Sequence, residues 1–253
     1  MRLRQVALAS SRLEAVASEF ERAFGLKIAY RDPNIGHYGL RNAVLPAGDG
    51  FIEIVEPVRD DASVTRFLAR RGGDAGYMVL LQVADAFAER DRVAAMGVRV
   101  VDNIDRPAYR CAHFHPNDFG GILASFDQQR TEPDLLASGG DWWPAGPEWQ
   151  RARTDAVLSL ASVTISTPDP AALAQRWSTL TARPLDTGDP LRLPLLRGAV
   201  RFAPAADGRT TCVTGMDLQV RDPAGVRRRA EAAGLDTTDA GVAIGGMRFR
   251  PVA

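Results

Sequence analysis

Four times along this 253-residue chain a short apolar strand runs into a capped helix and then back into strands. Repetition on that scale restricts the fold to copies of one supersecondary unit, none of which buries its apolar face alone. The first copy begins at Gln5–Ala9. Ser11, with Glu14 three residues on, predicts a capping box, and Leu13, Val16, Ala17, Phe20 and Phe24 fall on one helical face before Gly25 ends the helix and Leu26–Ile28 starts a strand. The second runs from Met78–Val83 through an Asp85 cap, a helix with Phe87, Val93 and Ala94, and a stop at Gly97. The third runs from Ser162–Ser166 through Asp169-Pro170, with Leu173, Trp177 and Leu180 as the buried stripe, and the fourth from Met216–Val220 through Asp222-Pro223, Val226, Ala230 and Gly234.

Each helix is followed by strand signals. Gly39–Leu45 and Phe51–Val55 flank the turn Gly48-Asp49-Gly50, Ala112–Phe114 and Ile122–Phe126 read as a second antiparallel pair, and Val242–Ile244 with Met247–Phe249 flank the two-residue turn Gly245-Gly246. Ser63–Arg71 predicts an extra short helix closed by Gly72-Gly73. The expected fold class is α+β, built from paired βαβββ modules in two tandem domains. Residues 1–128 would hold two full-length modules and the ligand cleft, 129–156 a connector rich in Trp, Pro and Gly, and 157–253 a second, compressed pair. A concave cleft between paired modules is the default place for a small ligand.

Hydrophobic residues make up 45% and charged residues 25%, enough to build real cores. Residues 1–128 carry 16 basic and 17 acidic side chains, the remainder 15 and 14, so neither half has a field that would hold a nucleic acid or an anionic membrane. The apolar run after Arg4 is too short for a signal peptide, and no stretch approaches the ~20 apolar residues of a membrane span. The two cysteines, Cys111 and Cys212, suit a reduced cytoplasmic protein better than a disulfide scaffold. Lys27 is the single lysine beside thirty arginines and lies at an ordinary helix-to-strand junction, which leaves Schiff-base chemistry one poor candidate. Neither double glycine has the Lys or the strand–loop–helix context of a phosphate loop.

The strand Phe51-Ile52-Glu53-Ile54-Val55-Glu56-Pro57 resembles the one that supplies a carboxylate metal ligand in the vicinal oxygen chelate superfamily of glyoxalases, bleomycin-resistance proteins and extradiol dioxygenases. The opening Met1–Leu8 is similar to that family's first strand, with Gln5 where a His is usual. Gly76–Leu80 is similar to its third ligand strand, with Met78 (or Tyr77, if the register slips by one) in place of a second His. Gly120–Phe126 is similar to its last, with Ala124 where a Glu is usual. The resemblance implies four ligands on the wall of a half-barrel, of which one remains. A carboxylate, an amide, a thioether and a methyl do not make a zinc site or a hard-cation site. No metal and no other cofactor is therefore expected. The matching positions of the second domain, Ser162, Val200 or Arg201, and the neighbourhood of Gly215, hold no ligand set either.

Glu53 is the leading candidate for catalysis, since alternation puts it opposite Ile52 and Ile54, and it stands beside the bland reading of a relic carboxylate bonded to Gln5 or to an arginine. His113 and His115 lie two apart and share a face; they read as turn-positioning side chains, as pocket lining, or with Asp118 as an alternate metal site. His37 and Tyr38 precede a strand whose Arg41 could clamp a carboxylate and whose Asn42 could orient a carbonyl. Trp142 and Trp143 lead the connector tryptophans, read either as an inter-domain plug or as a lid whose indole stacks on a flat substrate.

Two functions follow as expectations. One is a glyoxalase-like protein that binds a small planar or anionic organic molecule without a metal, as the bleomycin-resistance branch does. The other is a metal-independent lyase, isomerase or hydrolase with Glu53 as general base and Arg41, His113 or His115 stabilising oxyanion charge. A metal-dependent glyoxalase or dioxygenase ranks third. The expected partner is a small-molecule ligand, with no nucleic acid and no membrane, and a homodimer stays open.

Overall fold

The computed structural model describes residues 1–206 and 210–253. Its elements follow the repeat. The first module comprises β1 (Arg2–Ala9), α1 (Leu13–Phe24), β2 (Leu40–Ala47) and β3 (Gly50–Pro57), followed by α2 (Ser63–Arg71). The second comprises β4 (Ala75–Gln82), α3 (Ala86–Ala94), β5 (Val100–Asp105), β6 (Tyr109–Phe114) and β7 (Leu123–Gln129). The third comprises β8 (Val157–Thr167), α4 (Pro170–Thr181), β9 (Leu191–Pro194) and β10 (Ala199–Pro204). The fourth comprises β11 (Cys212–Val220), α5 (Pro223–Ala232), β12 (Thr237–Thr238), β13 (Gly241–Ile244) and β14 (Met247–Val252). Every residue of the second, third and fourth helix caps predicted from Asp acts as read. Asp85 accepts from the amides of Phe87 and Ala88, Asp169 from Ala172 and Asp222 from Gly225.

The first helix starts differently. Its N-cap is Arg12, with no side-chain cap bond, because the Ser10 hydroxyl rather than Ser11 takes the Arg12 amide. Leu26–Ile28 forms no strand; instead Ala29 donates to Val44, and Tyr30 makes an isolated bridge to the same residue.

The chain gathers into two compact units. The first contains residues 1–5, 77–143 and 162–213, the second 6–76, 144–161 and 214–253. In the first unit β5, β6 and β7 pair antiparallel and β4 joins β7 in parallel, while β10 pairs with β8 in parallel and with β9 antiparallel. Register sorts this sheet into two faces. Ala112, Phe114, Ala124, Phe126, Val79 and Leu81 point one way, and Arg110 on that face lies against Phe87 of α3. Phe114, Phe119, Phe126, Trp177 and Phe202 make a chain of aromatic contacts at 4.8 to 6.1 Å in its core, and the Trp177 indole donates to the Phe119 carbonyl.

In the second unit β2 and β3 form a hairpin, and β14 pairs with β13 and, in parallel, with β11. α1 and α5 pack together, and Phe20 meets Phe249 edge-on at 4.8 Å. Two turns need glycine for contact as well as for backbone angle. Gly48 (φ +67°) would put a Cβ 1.9 Å from the Leu158 carbonyl oxygen, and Gly246 (φ +75°) would put one 1.8 Å from that of Asp74.

Candidate functional site

The second unit holds Glu53. In the β2–β3 hairpin, Val44 faces Glu53 and Asn42 faces Val55, so Asn42 and Glu53 are diagonal neighbours on one face. The Asn42 amide donates to Glu53 Oε1 at 2.6 Å and its own oxygen accepts the Asp32 amide N–H at 2.8 Å. Asn42 is thereby fixed from both ends and aims the carboxylate. Phe51 shares this face and carries Trp149 edge-on at 4.9 Å, while Ile52 and Ile54 lie opposite, as alternation predicts.

Arg41 does not join them. It points to the other face and binds Glu56, its direct cross-strand partner, at 2.5 Å, and that bond raises the guanidinium's pKa further. His37 and Tyr38 sit together on the exposed turn Pro33–Tyr38, their rings 3.6 Å apart, with the His37 ring bonded to the Asn34 carbonyl.

The first unit holds the rest. The face turned away from α3 carries Met78, Leu80 and Gln82 on β4, Leu123, Ser125, Asp127 and Gln129 on β7, and Tyr109, Cys111 and His113 on β6. Ala124 is not among them. It lies with Val79 and Phe114 on the helix face, so the last-strand position level with His113 is Ser125. This corrects the sequence register by one residue, and a one-residue slip exchanges faces.

Several of these groups titrate in a dry environment. The Tyr109 hydroxyl donates to the fully buried Asp127, and burial first, then the Asp127 charge, pushes the Tyr109 hydroxyl up. The Cys111 thiol is pushed up by the same two causes in the same order, which makes it a poor nucleophile at neutral pH. His113 Nε2 lies 3.5 Å from Cys111 Sγ and its Nδ1 4.0 Å from Asp102; burial lowers the imidazole's pKa, and Asp102 partly opposes that.

His113, His115 and Asp118 do not converge. His115 caps the turn Pro116–Phe119 by accepting the Asn117 amide, and its Nδ1 lies 3.0 Å from Arg99. Asp118 takes two bonds from the Arg99 guanidinium at 2.9 Å, which hold its carboxyl well below the usual range. Among the described residues no three His, Cys, Asp or Glu side chains gather as a metal-binding group.

Gln5 and the connector supply the remaining contact. The Trp142 indole N–H donates to Gln5 Oε1 at 2.7 Å and its ring meets Tyr109 edge-on, whereas Trp143 is 46% exposed and donates its main-chain N–H to Gln129. Sequence reasoning missed Tyr109, Cys111 and Asp127. The signal was present in Leu123–Gln129, where Ser125, Asp127 and Gln129 recur every second residue and mark a polar face.

Comparison with a family model accords with this architecture. The model of the glyoxalase-like domain family matches residues 6–181, and the chain belongs to that family, within the vicinal oxygen chelate superfamily. An ethylmalonyl-CoA/methylmalonyl-CoA epimerase of Cereibacter sphaeroides is 26% identical over 131 residues, which is 50% of this chain and 97% of that protein. A crystal structure of methylmalonyl-CoA epimerase from Mycobacterium tuberculosis superposes with a TM-score of 0.46 at 25% identity, covering 51% of this chain and 87% of its own. A Streptomyces coelicolor methylmalonyl-CoA epimerase in complex with 2-nitronate-propionyl-CoA gives a TM-score of 0.47 at 24% identity, covering 51% of this chain and 98% of its own. No helix among the described residues is long and apolar enough to cross a membrane.

Proposed function

We propose that this protein binds a small planar or anionic organic molecule without a metal ion. The chemistry at the four positions of the family's ligand set carries the reading. With the register corrected, they bear Gln5, Glu53, Met78 and Ser125: one carboxylate, one amide, one thioether and one hydroxyl. The amide oxygen already accepts an indole N–H, and the carboxylate already accepts an amide N–H. Such a set does not fit a zinc or hard-cation site.

A second reading treats Glu53 as a general base, and the name of the Cereibacter relative favours it, since epimerisation moves a proton. Asn42 would then orient the base. The natural test is a thermal-shift screen of aromatic acids and acyl-CoA thioesters in the presence of chelator, followed by Glu53→Gln. Stabilisation by a ligand, kept in Glu53→Gln and with no turnover in the parent, supports the binder. Turnover in the parent that Glu53→Gln abolishes supports the enzyme. The balanced charge supports a partner other than nucleic acid, and two free thiols support a reducing compartment.

A further inference from the structure

We propose that residues 131–143 are a built-in occupant of a ligand site in the first unit, standing in for a flat ring that carries a carboxylate. The inference rests on the small-molecule reading above and names the ligand chemistry.

The contacts of this strap are those that an aromatic carboxylate would make. Its indole gives an N–H to Gln5 at 2.7 Å and lies edge-on to Tyr109. The Arg4 guanidinium sits 5.2 Å from the centre of the same indole, a cation–π distance. Arg4 also donates to the main-chain oxygens of Gly140 at 3.1 Å and Asp141 at 3.5 Å, and Arg2 donates to that of Leu135 at 2.5 Å. Both arginines are 1% exposed. Guanidinium forks match the planar oxygens of a carboxylate better than they match scattered carbonyls. Strap oxygens thus hold donors that a carboxylate would satisfy with better geometry.

The sheet face that carries Tyr109 supplies an independent sign. Gln82 Oε1 and Ser125 Oγ lie on it, buried, with no hydrogen-bond partner among the described residues. Native proteins rarely leave such atoms unmet. Gln82 is level with Asp127, which takes the Tyr109 hydroxyl, and a ligand running along this face from Tyr109 with its own donors would pair them.

The strap is also held in a way that permits release. Apart from Trp142, the strap's bonds to the described residues around it are polar: Arg2 to the Leu135 carbonyl, Arg4 to those of Gly140 and Asp141, Gln129 to Thr131 and to the Trp143 amide, and Arg197 to the Leu136 carbonyl. Leu136 is exposed, and a recess of about 140 Å³ opens at the strap's base beside Gln129, Glu132 and Leu135. A segment held by a single large buried apolar anchor opens at less cost than the unit on which it lies.

Indole-3-acetate is the direct probe, with indole and acetate as its halves, titrated calorimetrically into the full chain. Removing the internal competitor with Trp142→Ala should tighten indole-3-acetate at least about tenfold over the parent, because the fraction of open sites rises. Each half alone should bind at least about tenfold more weakly, and adding Arg4→Gln should remove the advantage of indole-3-acetate over indole. Should Trp142→Ala fail to fold by circular dichroism, the parent carries the test: saturating indole-3-acetate must speed amide exchange across residues 133–141. Equal affinity in parent and folded variant, or unchanged or slower exchange in the strap, overturns the inference. If other acids stabilise the parent while Trp142→Ala changes nothing, the strap idea fails and the binding reading stands; if no acid binds either protein, both fail.

Discussion

Trp142 donates its indole N–H to the side-chain oxygen of Gln5 across 137 residues of sequence, at 2.7 Å in a buried setting. A position where the family resemblance leads one to expect a metal-binding imidazole thus holds a connector tryptophan by its polar edge. Truncation should separate ring from hydrogen bond. Trp142→Phe keeps an aromatic ring and should cost about 1–2 kcal/mol in urea unfolding, whereas Trp142→Ala should cost about 3–5 kcal/mol. If both variants unfold at the parent's midpoint, the indole is not part of the first unit's core.

Asn42 makes a second test because it is buried and tied at both ends. Asn42→Asp keeps the acceptor for the Asp32 amide but sets a carboxylate against Glu53. Two carboxylates at hydrogen-bond distance cannot both stay charged cheaply, and one should take up a proton. The variant should lose about 2–4 kcal/mol at pH 7 and recover part of it at pH 5. Denaturation that shows no such recovery would place Glu53 away from Asn42 in solution.

Glycine substitution distinguishes backbone angle from contact. Gly72 and Gly246 share nearly the same φ, +73° and +75°, but a Cβ at Gly72 meets open space, whereas at Gly246 it would lie 1.8 Å from the Asp74 oxygen. Gly72→Ala should cost about 1 kcal/mol, and Gly246→Ala, which must move main chain, at least about twice that. Equal thermal midpoints for the two would contradict the β13–β14 turn packing.

The pH dependence of stability follows from His113. Its folded pKa lies below the ordinary 6.5, so between those two values the unfolded chain binds more protons. The resulting stability is complete above about pH 6.5 and drains away as pH falls through the window beneath it. His113→Gln should flatten the stability–pH curve over that range. Asp118, held low by Arg99, contributes in the same direction but only below its ordinary value of 3.8, so its loss should appear as a separate, more acidic step. A His113→Gln curve that parallels the parent's between pH 6.5 and 5 would rule out a lowered pKa for this half-buried imidazole.

The repeat was legible because period and punctuation agree locally. Asp followed by a helix-length apolar stripe marks Asp85, Asp169 and Asp222 whatever the tertiary context. Ser11 misled because Ser10, one residue earlier, reaches the Arg12 amide and also binds Asp74, a contact 64 residues away. The last-strand register slipped for a similar reason. Gly120-Gly121 gives no side chain from which to count faces, and only pairing with His113 and Leu80 identifies Ser125 as the position on the polar wall. Glu53 was readable from its strand, but its Asn42 partner was not, since Gln5 or an arginine was expected there. Adjacent residues on β2 point to opposite faces, and only the hairpin register decides which one meets it.

The claim on which the rest depends is ligand binding without a cation. Isothermal titration of a stabilising aromatic acid into EDTA-stripped protein, repeated with one equivalent of Zn²⁺, Mn²⁺ or Ni²⁺, tests it most directly. A dissociation constant that stays the same across all four samples is the predicted result. Binding that vanishes on stripping and returns with one equivalent of a divalent metal would contradict it.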